Sequence, residues 1–166
     1  MIIKIKLLEG AIMPKYQSKG AACFDLHIHS FKKLYKGDQE VDFATTLRHS
    51  IRQGFIQMRP GERLLAGTGL FMEIPEGYQL EIKSRSGTTL KTGIVIANQP
   101  GTVDSDYRGE LHLILMNTTP FLAKIDLGDR VAQAGIIPAP QAEFEIITDL
   151  SETERGEGGF GSTGTK

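Results

Sequence analysis

Residues 93–117 read GIVIANQPGTVDSDYRGELHLILMN, and this stretch decides the fold. Two apolar runs, IVIA (94–97) and LHLILMN (111–117), flank a charged centre bounded by Gly101 and Gly109. Short apolar runs broken by Gly and Asp predict two strands joined as a hairpin. The same rhythm continues outward on both sides. LLAGTGLFMEI (64–74) and YQLEIKS (78–84) precede it, and RVAQAGIIP (130–138) and AEFEIIT (142–148) follow. Turn signals separate them: RPGE (59–62), IPEGY (74–78), DSDYRGE (104–110) and DLGD (126–129). Near the start, Ile3, Ile5 and Leu7 alternate with Lys4 and Lys6, the pattern of a strand with one buried face. Many short strands at this spacing predict an all-β chain, a sandwich or a barrel.

Composition narrows the class further. With 166 residues the chain suits one domain with a substantial core, and 40% hydrophobic with 23% charged residues is ordinary for a globular protein. A net charge of -1 gives no overall field toward nucleic acid or an anionic membrane. A small anion remains compatible, because a few amides and basic side chains suffice to bind phosphate. Cys23 is the only cysteine, so no intrachain disulfide forms, which fits a reducing compartment. MIIKIKLLEG (1–10) carries lysines within its apolar run and does not read as a signal peptide. No apolar run approaches the roughly 20 residues that span a bilayer. The expectation is a cytoplasmic protein, or one of a host's cytoplasm if the source is a phage or virus.

Two stretches break the rhythm. Residues 32–53 are polar, with Phe43, Leu47 and Ile51 four apart, a spacing that puts three apolar side chains on one face of a short helix. This reads as a surface excursion, or as an element that captures a protein partner. From about Ser151 the chain is rich in Gly, and ERGEGGFGSTG (154–164) has Phe160 as its one apolar residue. Such an arm buries too little to repay its ordering entropy. The organisation is therefore a body over 1–150 and an arm over 151–166.

Several stretches carry chemistry-bearing residues. In GTVDSDYRGEL, Asp104 follows a β-branched run and suits a general base acting on water, while the Tyr107 ring suits a flat base or sugar. The same Asp and Gly residues equally suit a turn and nothing more. In KSRSGTTLKTG (83–93), Arg85, Ser86 and Gly87 suit phosphate oxygens, or a polar strand end. Gln133 lies within an apolar strand and needs partners, from the fold or from a ligand. The arm offers amides, Arg155, Ser162 and Thr163 for a phosphate, but lacks the lysine and spacing of a P-loop. Cys23 has no evident activating neighbour. His27 and His29 lie two apart and would need further ligands to hold a metal.

Taken in order, AACFDL (21–26), RSG (85–87), the Asn98–Asn117 stretch, GDRVAQ (128–133) and RGEGGFGSTG (155–164) resemble the five signature motifs of the homotrimeric dUTP pyrophosphatases, the dUTPases. The resemblance covers residues 5–164 apart from 32–53, which by that resemblance is an insertion longer than the family's usual connection. It implies a jelly-roll-like β subunit, a threefold trimer, and active sites each shared by three chains. It implies hydrolysis of dUTP to dUMP and pyrophosphate, which limits uracil incorporation into DNA and supplies dUMP for dTMP synthesis.

By that resemblance, one chain supplies Arg85, Ser86, Gly87 and Gln133 to the phosphates. A second supplies Asn98, Gly101, Thr102 and Val103 to uracil and Tyr107 to the deoxyribose. A third lends its arm, with Phe160 over the base and Arg155, Gly161, Ser162 and Thr163 at the phosphates. Asp104 matches the carboxylate that activates water for attack at the α-phosphorus. Asp25 takes an outer or interface role, and Asp106 shapes the hairpin or joins an ion pair. Mg²⁺ is implied, held through phosphate oxygens and water with no direct protein ligand.

The chain also departs from the family pattern. Cys23 and Phe24 stand for the usual Gly and Tyr. Pro-Arg-Ser-Gly-Leu-Ala is here Ser84, Arg85, Ser86, Gly87, Thr88 and Thr89. Two rivals are weighed. A dCTP deaminase needs a catalytic Glu in the strand after the hairpin and a second Ser and Arg in the phosphate motif, and LHLILMN and RSGTTLK hold neither. A regulatory binding protein on the same scaffold would use residues 32–53 to take a partner.

Overall fold

The structure is a computed structural model, and it describes residues 1–41, 53–159, 162 and 164. Short strands dominate it. β1 (Lys4–Leu7), β2 (Phe24–His27), β3 (Ser30–Lys36), β4 (Gln39–Val41), β5 (Phe55–Met58), β6 (Arg63–Gly67) and β7 (Leu70–Glu73) come first. Then come β8 (Tyr78–Ser84), helix α1 (Ser86–Thr92), β9 (Ile94–Ile96), β10 (Gly101–Val103), β11 (His112–Asn117), β12 (Ala123–Asp126) and β13 (Arg130–Pro138).

Two larger sheets hold most of these strands. One has the order β10-β8-β13-β2, the other β4-β3-β6-β11-β9, and the pairs β1–β7 and β12–β5 complete the set. Neighbours in space are mostly distant in sequence, as β13 beside β2 shows. This is a jelly-roll-like all-β arrangement, in line with the expected class. Strand alternation builds the core. On β11, Leu113 and Leu115 are buried while His112 and Ile114 face outward. They pack with Leu26, Ile28, Leu64, Leu80 and Val131. Each such side chain contributes about 1.5–3 kcal/mol by leaving water. Asn117, at the end of β11, is fully buried but fully used. Its Nδ2 donates to the carbonyls of Met58 (2.9 Å) and Phe121 (2.7 Å), and its Oδ1 accepts from Thr119 N–H at 2.9 Å.

The central stretch forms more than a hairpin. β9 and β11 pair as expected, with Ile96 opposite Leu115. Between them, β10 crosses to the other sheet and pairs with β8, Gly101 opposite Ile82 and Val103 opposite Leu80. The connection therefore ties the two sheets together.

Three expectations need revision. AEFEIIT forms no strand, and its Phe144 is 97% and Ile146 100% exposed. Alternating β-formers make a strand only against an edge, and within the described residues none receives this segment. The stretch after Arg85 is a helix and not a strand end. Its Thr and Gly content is poor for a helix, so contacts decide. Thr88 Oγ1 donates to Arg130 O at 3.1 Å, Thr89 Oγ1 donates to Ile94 O at 3.1 Å, and Gly93 closes the helix in the left-handed region with φ 66°. Finally, the polar excursion begins inside the sheet. β3 and β4 form a hairpin on β6, and Leu34 is buried in the core. The helix read over Phe43, Leu47 and Ile51 lies outside the described residues.

Candidate active site

The candidate residues divide between the two ends of β8. At its C-terminal end lie Arg85, Ser86, Gly87, Gln133 and Asp25. Asp25 is 5% exposed, on β2. Its Oδ1 meets Arg85 Nε at 2.8 Å and its Oδ2 meets Arg130 Nη1 at 3.2 Å. Arg85 Nη1 also donates to Arg130 O at 2.9 Å. A carboxylate between two guanidiniums leaves one positive charge in excess, and the remaining Arg85 N–H groups are free of these bonds. Gln133 Nε2 donates to Ser84 O at 3.0 Å, which sets its amide beside the same group. Ser86 and Gly87 are exposed on the first turn of α1.

Sequence reading missed Arg130 and Thr88 here. Arg130 lies in the quoted GDRVAQ motif, but its partner Asp25 is 105 residues away. His27, opposite Arg130 in the β2–β13 register, completes this end. Its pKa is held below the usual histidine value, chiefly by burial. Asp25 pulls upward, and Arg130, Arg85 and Lys15 push further down. His27 Nδ1 is buried without a hydrogen-bond partner among the described residues. His29 lies by Gly10 and Gly69, and Cys23 is half-buried near Gly135. Among the described residues, no three His, Cys, Asp or Glu side chains converge as a metal site.

At the other end of β8 lies Asp104, directly after the Val103–Leu80 pair. From Leu80 to Arg85 the extended chain rises roughly 16 Å. Asp104 is exposed and makes no ion pair among the described residues; the same holds for Asp106. Both line a cavity of about 850 Å³ with Tyr78, Gln79, Arg108 and Gln141. Tyr107 turns back on the loop, its hydroxyl donating to Glu110 O at 2.9 Å, and the residue is 41% exposed. Gly109 lies beneath it, and a Cβ there would push the exposed Tyr107 ring aside.

Between the ends, Asn98, Gly101, Thr102 and Val103 line a small recess of about 50 Å³ with Ile82, Ile96 and His112. Asn98 itself is exposed. In the arm, Arg155 Nε donates to Gly158 O at 2.7 Å, and Ser162 N–H donates to Gly159 O at 3.0 Å. Phe160, Gly161 and Thr163 lie outside the described residues.

Residues 51–164 match the family model of the dUTPases. The chain belongs to the dUTPase family. It is 46% identical over 165 residues to the deoxyuridine 5'-triphosphate nucleotidohydrolase of Nautilia profundicola, covering 99% of each chain. It is 39% identical over 166 residues to that of Bdellovibrio bacteriovorus, covering 99% of this chain and 97% of the relative. The dUTPase of Staphylococcus bacteriophage 80alpha, solved as a mutant with dUpNHpp, superposes with a TM-score of 0.76 at 25% identity over 99% of each chain. A phage phi11 dUTPase of S. aureus, described with a structural Mg(II) ion, matches at 21% identity and TM-score 0.68, covering 92% of this chain and 100% of that one, and supports the fold alone. The Nautilia match spans nearly the whole dUTPase chain, so residues 32–53 fall within it.

Proposed function

We propose that this dUTPase hydrolyses dUTP to dUMP and pyrophosphate at sites shared by three copies of the chain. The separation of Asp104 from Arg85 along β8 carries this reading. One copy cannot bring a water-activating carboxylate and a phosphate-binding guanidinium onto one phosphorus across roughly 16 Å. Neighbouring copies can. The exposed apolar side chains of Phe144, Ile146 and Leu150 support the same assembly, since burying them against another copy is favourable.

In this reading Asp104 takes a proton from water as its oxygen bonds to the α-phosphorus. The bond from that phosphorus to the bridging oxygen breaks, and pyrophosphate leaves. Asp104 is exposed and makes no ion pair among the described residues, so its carboxylate is available as an acceptor. Arg85, held by Asp25, presents its remaining N–H groups to phosphate oxygens, with Ser86, Gly87 and Gln133 beside it. Mg²⁺ carried on the triphosphate and water would offset charge there.

Asn98 and the backbone of Gly101–Val103 recognise uracil. Cytosine places a donor where uracil has an acceptor, leaving buried groups unpaired. Tyr107 packs on the sugar. Phe160 covers the base when the arm closes, with Arg155, Gly161, Ser162 and Thr163 at the phosphates. β11 carries no carboxylate, which disfavours a deaminase.

The test is a chromatographic panel of dUTP, dCTP, dTTP and UTP with Mg²⁺, together with sedimentation of the free protein. dUMP and pyrophosphate from dUTP alone, on a trimer, is the expected result. Conversion of dCTP to dUTP, or full activity as a monomer, would overturn the reading.

A further inference from the structure

Ser84 stands where the resembled motif usually has proline, and it spends all three polar groups on other segments. Its N–H donates to Gln99 Oε1 at 3.0 Å. Its hydroxyl oxygen accepts from Ile96 N–H at 2.8 Å. Its carbonyl accepts from Gln133 Nε2 at 3.0 Å. The first two partners bracket Ala97 and Asn98. Proline could make neither bond, lacking both N–H and hydroxyl.

The bracketed segment has little else to hold it. Residues 97–100 are all exposed, so no apolar side chain anchors them in the core. Ala97 N–H reaches Ile114 O at 2.8 Å, and beyond it, among the described residues, the Gln99 side chain makes the next hydrogen bond before β10 pairs with β8. A loop that reads a base by hydrogen-bond pattern must be held in one geometry before the base arrives, or binding must supply that ordering.

We propose that Ser84 is a positioning residue for the base-reading loop, clamping residues 96–99 through its N–H and hydroxyl so that Asn98 meets the pyrimidine already ordered. This rests on the proposed function. Because Arg85 follows Ser84 directly, one residue ties the phosphate end of β8 to the base loop of the same chain. The carbonyl bond to Gln133 survives any substitution of the side chain, so the two roles separate experimentally.

The variants are Ser84→Pro, Gln99→Met and the double substitution in the full-length protein. Ser84→Pro should weaken dUMP binding by calorimetry and raise the dUTP KM, each about five-fold, and leave kcat within about two-fold. Inhibition by inorganic pyrophosphate, which has no base, should not change. Gln99→Met keeps the bulk of the side chain without its acceptor and should reproduce part of the dUMP loss. The double variant should be no weaker than Ser84→Pro, since the bond that Gln99→Met removes is already lost in Ser84→Pro. Unchanged dUMP affinity in both single variants would overturn the clamp. An equal loss of pyrophosphate inhibition would also overturn it, as it would mark general loosening. Amide exchange tests the clamp without nucleotide. Protection of the Ser84 amide in the wild type, lost in Gln99→Met, supports it, and an unprotected amide in the wild type rejects it. A wild type that is clamped yet neither binds dUMP nor turns over dUTP would instead sink the functional reading alone.

Discussion

The two ends of β8 place charged residues in opposite settings. At the Arg85 end, a buried carboxylate is flanked by two guanidiniums at 2.8 and 3.2 Å, and helix α1 is fastened to Arg130 by Thr88. At the Asp104 end, a carboxylate stands exposed at the rim of a cavity of about 850 Å³ without an ion-pair partner among the described residues. One end is assembled within a single chain and keeps one positive charge in excess; the other is open. In the proposed function a second copy brings the two ends face to face. The difference also separates two kinds of cost. Losing the open carboxylate should affect chemistry alone, whereas losing the enclosed one should affect folding.

The largest effect is expected at the open end. Asp104→Asn should lower kcat for dUTP by about a thousand-fold while a non-hydrolysable analogue still binds. Near-normal turnover would remove Asp104 from its role. Next comes the arm. Deleting residues 154–166 should lower kcat on the order of a hundred-fold and leave the trimer intact in sedimentation. A truncated protein that dissociates would show the arm to be structural, and the comparison would then have to include it. At the enclosed end, Asp25→Ala should reduce unfolding free energy by about 2–4 kcal/mol in denaturant titration, because two guanidiniums lose their common counter-charge. A stability equal to wild type would show that water replaces the carboxylate at no cost.

The smallest effect concerns pH. His27 titrates below its ordinary value in the fold, mainly through burial. The unfolded chain therefore binds the proton more readily. The stabilising contribution is complete well above the unfolded value of about 6.5 and is lost as pH falls through it toward the folded value. The melting temperature should fall between neutral and mildly acidic pH, and His27→Gln should flatten that part of the profile. Equal slopes in both proteins would show that burial does not hold the His27 pKa down in the fold. Glu110 acts at lower pH. Burial pushes it upward, but the Lys32 bond, the Gly69 N–H and the charges of Lys32 and His112 outweigh that and hold it below the usual glutamate value. Its contribution is present above that usual value and disappears as pH falls through the folded one.

Much of this was readable before any fold was known, and for identifiable reasons. Strand alternation exposed LHLILMN and YQLEIKS, because a half-buried sheet imposes a period of two on side chains. The place of Asp104 in a turn was legible because a carboxylate between β-branched residues and a glycine-bounded turn is local information; its proposed role came from the family resemblance and not from that pattern. The Asp25–Arg130 pair was not, since its members are 105 residues apart and meet only through the β2–β13 register. α1 was hidden for a different reason. Its residues favour other conformations, and the hydroxyl bonds of Thr88 and Thr89 to Arg130 and Ile94 exist only once β13 and β9 are in place. AEFEIIT erred the other way. Its pattern is that of a strand, but a strand is defined by its partner, and the edge it would need is absent from the described single chain.

By itself, then, the amino-acid order determined the all-β class, the succession of motifs and the identity of the chemical groups, since these follow from side-chain period and type. Tertiary structure decided which groups meet. It sent β10 across to β8, set Asp104 and Arg85 at opposite ends of one strand, and gave Ser84 its three partners. Register and sheet order bring distant residues within hydrogen-bond reach, and no local pattern encodes a contact whose two halves lie far apart in the chain.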